Sequence, residues 1–207
     1  MVTIPLSDAD KAAVAAAVGE IERRSSAEIV VVAARASGDY DAAAALAVAL
    51  AALGGGALAA AIWPALPAWL LLAGQSLLFA LLWALHATVG LGHRLTPAPL
   101  RLARAKRAAA VEFAKLVDAQ TADKRGLLIY LAFAERHLEI VADRGIAAAV
   151  PDARWQEIVD GFPAALRDRA FGEALSEVVR RCGELLTAAF PAEPGQRNEM
   201  ADHVVER

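Results

Sequence analysis

The stretch ADRGIAAAVPDARWQEIVD, residues 142–160, carries three carboxylates, Asp143, Asp152 and Asp160, around a glycine turn and a helix start. Carboxylates at such a junction have two chemistries open to them. They can ligate a hard cation, or they can accept hydrogen bonds from the backbone N–H groups where a strand ends and a helix begins. Asp152 follows Pro151 and precedes a helical run, so its plainest role is N-cap, with a second oxygen left over for a cation. Asp143 ends a strand, and strand ends of α/β sheets gather ligand sites. Asp143 and Asp152 are therefore the expected metal ligands. Ca²⁺ takes about six to eight oxygens, so backbone carbonyls and water would complete its shell. For phosphoryl chemistry Arg144 and Arg154 offer an anion clamp. No serine, cysteine or histidine stands near them in sequence, which leaves a metal-activated water as the attacking group.

Other reactive side chains are isolated. The single cysteine, Cys182, falls on an apolar helical stripe and reads as a small buried hydrophobe; alone, it also excludes an intramolecular disulfide. His86 and His93 lie on or just past an apolar segment, His137 begins a strand, and His203 is near the end of the chain. None has a ligand-spaced partner, so zinc is not expected. Gly54-Gly55-Gly56 sits inside an apolar run, where nucleotide phosphates do not go.

The elements that position these residues surround a window without formal charge. From Ala42 to His93 there is no Asp, Glu, Lys or Arg. Pro64-Ala65-Leu66-Pro67 divides it into two runs, 42–63 and 68–90, each reaching the ~20 residues that cross a bilayer as a helix. The expectation is a transmembrane hairpin. Ala52, Gly56 and Ala60 suit close helix contact, and Trp63 and Trp69 flank the turn as an interfacial belt would. Gln75, Ser76 and His86 are too few polar groups for a transport path. Arg94, Arg101, Arg104, Lys106 and Arg107 follow the second run, so both flanks are expected on the cytoplasmic side. A net charge of −3 argues against nucleic acid as the partner of that basic run, leaving the lipid bilayer and other membrane proteins. No cleavable signal is evident in MVTIPLSDADK. Seventeen arginines against four lysines fit a GC-rich bacterial genome, hence a bacterial inner membrane.

Around the window, Ser7 and Asp10 form an acidic capping box for a helix running to about Arg24, with Val14, Val18 and Ile21 at helical spacing. AEIVVVAA (27–34) reads as a strand covered on both faces, and it leads through Gly38-Asp39-Tyr40-Asp41 into the hairpin. A helix holding Phe113, Leu116, Val117 and Gln120 precedes the strand GLLIYLAF (126–133). HLEIVAD (137–143) pairs with that strand antiparallel, across a turn at Glu135-Arg136. Trp155, Ile158, Val159, Phe162 and Leu166 mark a helix that Gly161 and Pro163 should bend or break. Leu175, Val178, Val179, Cys182, Leu185, Leu186 and Ala189 mark another. The fold class is α/β, with a strand-helix-strand link that should be parallel. One domain is assembled from 1–41 and 94–191, interrupted by 42–93 and followed by an irregular tail, 192–207.

AEIVVV after a first helix, RGLLIYLAFAERHLEIVADRGI, and VPDARWQEIVD together resemble the TPM domain family. That family is named after a thylakoid lumen protein, a photosystem II repair protein and an acetylcholine-receptor regulator. FPAEPGQRNEMADHV near the end looks like the tail of its bacterial membrane-protein branch. The resemblance implies a small mixed sheet in an α/β/α domain, with acid phosphatase, calcium-binding or assembly-factor roles among relatives. Where members often carry Gly-Tyr-Gly-Leu-Glu after the third strand, this chain has Asp143-Arg144-Gly145-Ile146-Ala147 and so lacks that Glu. The functional expectation is a membrane-anchored binding, scaffolding or assembly module of the cell envelope. The alternative is a phosphatase dependent on Ca²⁺ or another divalent cation.

Overall fold

The computed structural model describes residues 6–38, 40–89, 92–118, 125–192 and 204–207, and the side chains of His93, Arg94 and Asp118 fall outside that set. The expectations for Asp39, Gln120, His203 and the tail segment 193–203 also lie outside the described residues. In chain order the elements are α1 (Asp8–Glu22), β1 (Glu28–Ala34), α2 (Asp41–Ile62), α3 (Ala68–Val89), a short α4 (Gly92–Leu95) and α5 (Ala98–Phe113). A π-helical turn, Ala114–Asp118, leads to β2 (Gly126–Ala132) and β3 (His137–Ala142); then come α6 (Arg144–Ala149), α7 (Asp152–Asp168), α8 (Phe171–Ala189) and β4 (Val205–Glu206). The chain divides into two compact units, Gly38–Arg101 and Val2–Ser37 with Leu102–Arg207.

The first unit holds the apolar hairpin. Both α2 and α3 are long and apolar enough to cross a membrane, with mean hydropathies of 2.2 and 1.9 over their most apolar windows. They pack where side chains are smallest. A Cβ on Gly56 would sit 2.0 Å from the Gln75 amide nitrogen, and one on Gly55 would sit 2.9 Å from Leu78 Cδ2. The remaining apolar surface is open, with Leu58 62 % and Trp69 69 % exposed.

The second unit is built on a sheet of order β3-β2-β1-β4. β1 pairs parallel with β2 from Glu28↔Gly126 to Ala34↔Ala132, and β2 pairs antiparallel with β3. Every residue of β1 and β2 is buried, which explains why their sequences are continuous in apolarity and do not alternate. On one face Ile29, Val31, Leu127 and Ile129 pack with α1, α7 and α8; on the other Val30, Val32, Leu128 and Tyr130 pack with Ala105 and Ala109 of α5. Full burial of each such side chain contributes about 1.5–3 kcal/mol, so this two-faced core dominates the unit's stability. The capping box starts α1 as expected: Ser7 Oγ accepts from Asp10 N–H at 3.1 Å, and the Asp10 carboxylate accepts from Ser7 N–H at 2.9 Å. Close approach of α1 to α8 depends on Gly183, whose Cβ would fall 2.3 Å from Ile21 Cγ1.

Four local expectations are corrected. Pro151 occupies the N-cap of α7 with φ −61° and ψ 141°, which makes Asp152 the first helical residue and not the cap. Asp143 directly follows β3, its N–H still donating to the Gly126 carbonyl at 2.9 Å, but it opens a short helix, α6, that the sequence pattern does not announce, its carboxylate accepting from Arg144 N–H at 2.6 Å. α7 runs unbroken through Gly161 and Pro163: Trp155, Ile158 and Phe162 anchor its inner face, and Pro163 lies on the exposed side. The end of the chain is not wholly irregular, because Val205–Glu206 forms β4, parallel to β1.

Candidate functional site

A groove of about 440 Å³ runs along β3 between α5 and α7. β3 supplies its floor through His137, Glu139 and Ile140; α5 supplies Leu102 and Lys106; α7 supplies Asp152, Trp155, Gln156 and Val159. His137 and Glu139 fall on one face of β3 because side chains alternate along a strand. Their side chains meet, with His137 Nε2 2.6 Å from Glu139 Oε2, while Lys106 Nζ lies 4.0 Å from Glu139 Oε1. Glu139 is thus shared between two basic groups. Asp152 is exposed at the start of α7, where a carboxylate is favoured by the helix dipole, and among the described residues it has no ion-pair partner. Trp155 is 5 % exposed, and its indole N–H has no acceptor among the described residues.

The two expected metal ligands differ in setting. Asp143 is 3 % exposed and serves the first turn of α6, whereas Asp152 opens onto the groove. Arg154, the expected clamp, lies 3.8 Å from Glu157 on its own helix, and Asp160 accepts a hydrogen bond from Gln156 at 2.8 Å. Among the described residues, no group of three or more His, Cys, Asp or Glu side chains is arranged to hold an ion. Cys182 is fully buried on α8, and burial pushes its thiol up to about 12, which removes it as a nucleophile.

A second polar cluster lies at the C-terminal ends of β1 and β2. The Ser37 N–H donates to Glu135 Oε1 at 2.8 Å, and the Ser37 hydroxyl is 3.2 Å from the Tyr130 hydroxyl. Burial raises the Tyr130 phenol above its usual range, the Ser37 hydrogen bond opposing. These contacts hold the end of β1 against the β2–β3 turn. Sequence reasoning overlooked the groove. The alternation of His137 and Glu139 was the available signal, but Lys106 reaches them only through the packing of α5 on the sheet.

The architecture defines a class: an α/β domain whose sheet is completed on both sides of an inserted apolar helical hairpin. Residues 101–185, less than half of the chain, match the family model of the TPM domain. The match runs through the groove-lining parts of α5, β3 and α7. In fold the chain is similar to the BA42 protein of the psychrophilic bacterium Bizionia argentinensis, solved by NMR, with a TM-score of 0.60 and 16 % identity over 98 % of this chain and 95 % of that one. Likeness at that identity shows the fold alone. No curated protein matches the chain.

Proposed function

We propose that this chain is a membrane-anchored TPM-type domain of the bacterial membrane-protein branch, which binds, scaffolds or helps assemble other proteins of the cell envelope. The hairpin of α2 and α3 spans the inner membrane, and the α/β unit stands on the cytoplasmic side. The observation that carries this reading is the hairpin's open apolar surface: none of α3's most apolar window is buried and 11 % of α2's is. Each exposed Leu or Phe left in water forgoes about 1.5–3 kcal/mol, so a lipid surround fits these helices far better than solvent does. Trp63 and Trp69 at the turn suit a membrane–water interface. The parallel pairing of β1 with β2 adds a topological argument, since the strands before and after the hairpin share one sheet and both flanks must return to one side. Arg101, Arg104, Lys106 and Arg107, a basic flank without an acidic residue among them, support the cytoplasm as that side.

The test is alkaline carbonate extraction of cells expressing the full chain, together with a topology reporter fused after Arg207. Retention in the pellet and a cytoplasmic reporter signal are expected; release into the supernatant, or an exported signal, would refute the reading.

A second reading is a phosphatase dependent on Ca²⁺ or another divalent cation, with Asp143 and Asp152 as ligands. It is favoured by the opening of Asp152 onto the groove. Two carboxylates supply few of the about six to eight oxygens a Ca²⁺ ion takes, so main-chain carbonyls and water would carry most of the shell. Titrating Ca²⁺, Mg²⁺ and Mn²⁺ against the detergent-purified chain, while following thermal stability and phosphate-ester hydrolysis, separates the readings. Cation-dependent turnover that vanishes in Asp143→Asn would make it an enzyme; absence of both turnover and stabilisation would leave the binding module.

A further inference from the structure

β3 is the outer strand of its sheet, and its free edge lies in the groove. The register with β2 sets which backbone groups face outward. Asp143 N–H donates to the Gly126 carbonyl at 2.9 Å, and with the pairing Ile129↔Ile140 this turns the backbone groups of His137, Glu139 and Val141 toward β2. Antiparallel alternation then points the N–H and C=O groups of Leu138, Ile140 and Ala142 away from the sheet, where no described strand pairs with them. A row of unpaired backbone donors and acceptors is a template for another strand.

The walls of the groove match an extended chain. Val141 packs toward α5, whereas Leu138, Ile140 and Ala142 pack toward α7, so a strand added to β3 would present its side chains alternately to the two helices. Leu102 and Val159 offer apolar surface on the two sides. The groove's charges are unbalanced: Glu139 is met by His137 and Lys106, but the Asp152 carboxylate has no ion-pair partner among the described residues. The opposite edge of the sheet already works this way. There Arg207 N–H donates to the Ala33 carbonyl at 3.0 Å and Arg35 N–H donates to the Arg207 carbonyl at 2.9 Å, so an extended segment is added to β1.

We infer that the β3 groove binds an extended peptide segment of a partner protein as an added strand, with basic side chains on the α7 wall, directed to Asp152 with their stems over Val159, and apolar side chains against Leu102 on the α5 wall. This rests on the reading of the domain as a binding module and names the chemistry of its partner. Main-chain hydrogen bonds hold the segment, and the two walls select its side chains.

The test uses the full chain in detergent micelles and the capped peptide Val-Lys-Val-Lys-Val-Lys as probe. Backbone amide exchange at Ile140 and Ala142 should slow on binding. Methylating the peptide's alternate amide nitrogens should weaken binding about tenfold or more in one of the two possible registers and little in the other, because only one edge of the peptide faces β3. Asp152→Asn should weaken the lysine peptide about two- to fivefold, as for an exposed ion pair, and Asp152→Lys should reverse the preference toward Val-Glu-Val-Glu-Val-Glu. No binding, equal loss from both methylation patterns, or protection confined to β1 and β4 would overturn the inference. A chain that stays with the membrane yet leaves β3 unprotected would overturn this inference alone; one that takes the peptide but is extracted by carbonate would overturn only the anchoring.

Discussion

His86 Nε2 lies 3.1 Å from Asp41 Oδ1, joining the end of α3 to the first turn of α2 across 45 positions of sequence. His86 is 6 % exposed and its ring stands 5.1 Å from that of Trp83, so the imidazole sits inside the open end of the hairpin. Sequence alone marks His86 as one of the few polar residues on the second apolar run. The structure adds the carboxylate it meets.

Loss of this pair should loosen the hairpin without unfolding it. Interhelical hydrogen bonds in membranes average about 0.6 kcal/mol and reach about 1.7 kcal/mol. A double-mutant cycle of His86→Ala and Asp41→Asn, read by thermal unfolding in detergent, is expected to return a coupling within that range. Additive losses would show that the two side chains act independently.

Gly54 and Gly56 stand two positions apart and should respond oppositely. A Cβ on Gly54 meets nothing within 4 Å, whereas one on Gly56 meets the Gln75 side chain at 2.0–2.4 Å. Gly54→Val should leave the pairing of α2 with α3 unchanged. Gly56→Val should separate them, lowering crosslinking between cysteines introduced at Ala52 and Leu78. Equal crosslinking in both variants would contradict the packing.

Alkaline pH should release the C-terminal strand. Lys11 lies 2.8 Å from Glu206, and the hydrogen bond that its ammonium donates to that carboxylate raises the Lys11 pKa above its ordinary 10.5. A raised lysine pKa means the folded form holds the proton more tightly. Its contribution is fully present below the unfolded pKa and is lost as pH rises through the folded value. The Tyr130 phenol, raised by burial above 10.0, moves stability in the same direction. Stability should therefore decline above about pH 10. Glu206→Gln should remove the Lys11 share and Tyr130→Phe the phenol share, both read as a flatter alkaline limb of the thermal midpoint. At neutral pH, Glu206→Lys should speed amide exchange at Arg35, whose N–H is held by the Arg207 carbonyl.

Cys182 should report on folding. Its thiol is fully buried and raised to about 12, so a maleimide at neutral pH should not label the native chain and should label it fully in denaturant. Cys182→Ser places a hydroxyl in an apolar site and should cost about 1–3 kcal/mol, measured by denaturant titration. Rapid native labelling would mean that α8 is less tightly packed than its burial indicates.

What residues reveal locally, and what only packing reveals, divides along the range of the interactions. β1, β2, α2 and α3 are legible because each is a continuous apolar run, a property of the side chains within the element itself. The capping box of α1 is legible for the same reason, since Ser7 and Asp10 satisfy each other within one turn. Interruptions are less legible. Gly161 and Pro163 carry a local penalty, but the buried Trp155, Ile158 and Phe162 keep α7 in one piece. The roles of Asp143 and Asp152 turn on a one-residue shift: Pro151 takes the extended dihedrals of the cap, and Asp143 serves a helix too short to show periodicity.

The composition and patterning of the chain by themselves determined an α/β domain interrupted by an apolar hairpin, because hydrophobic burial acts on every residue in proportion to its own surface. Tertiary structure alone decided the place of β4 beside β1, the meeting of Lys106 with Glu139, and the open edge of β3 between α5 and α7. Those depend on pairing between segments distant in sequence, and strand register, unlike apolarity, is a property of two segments together.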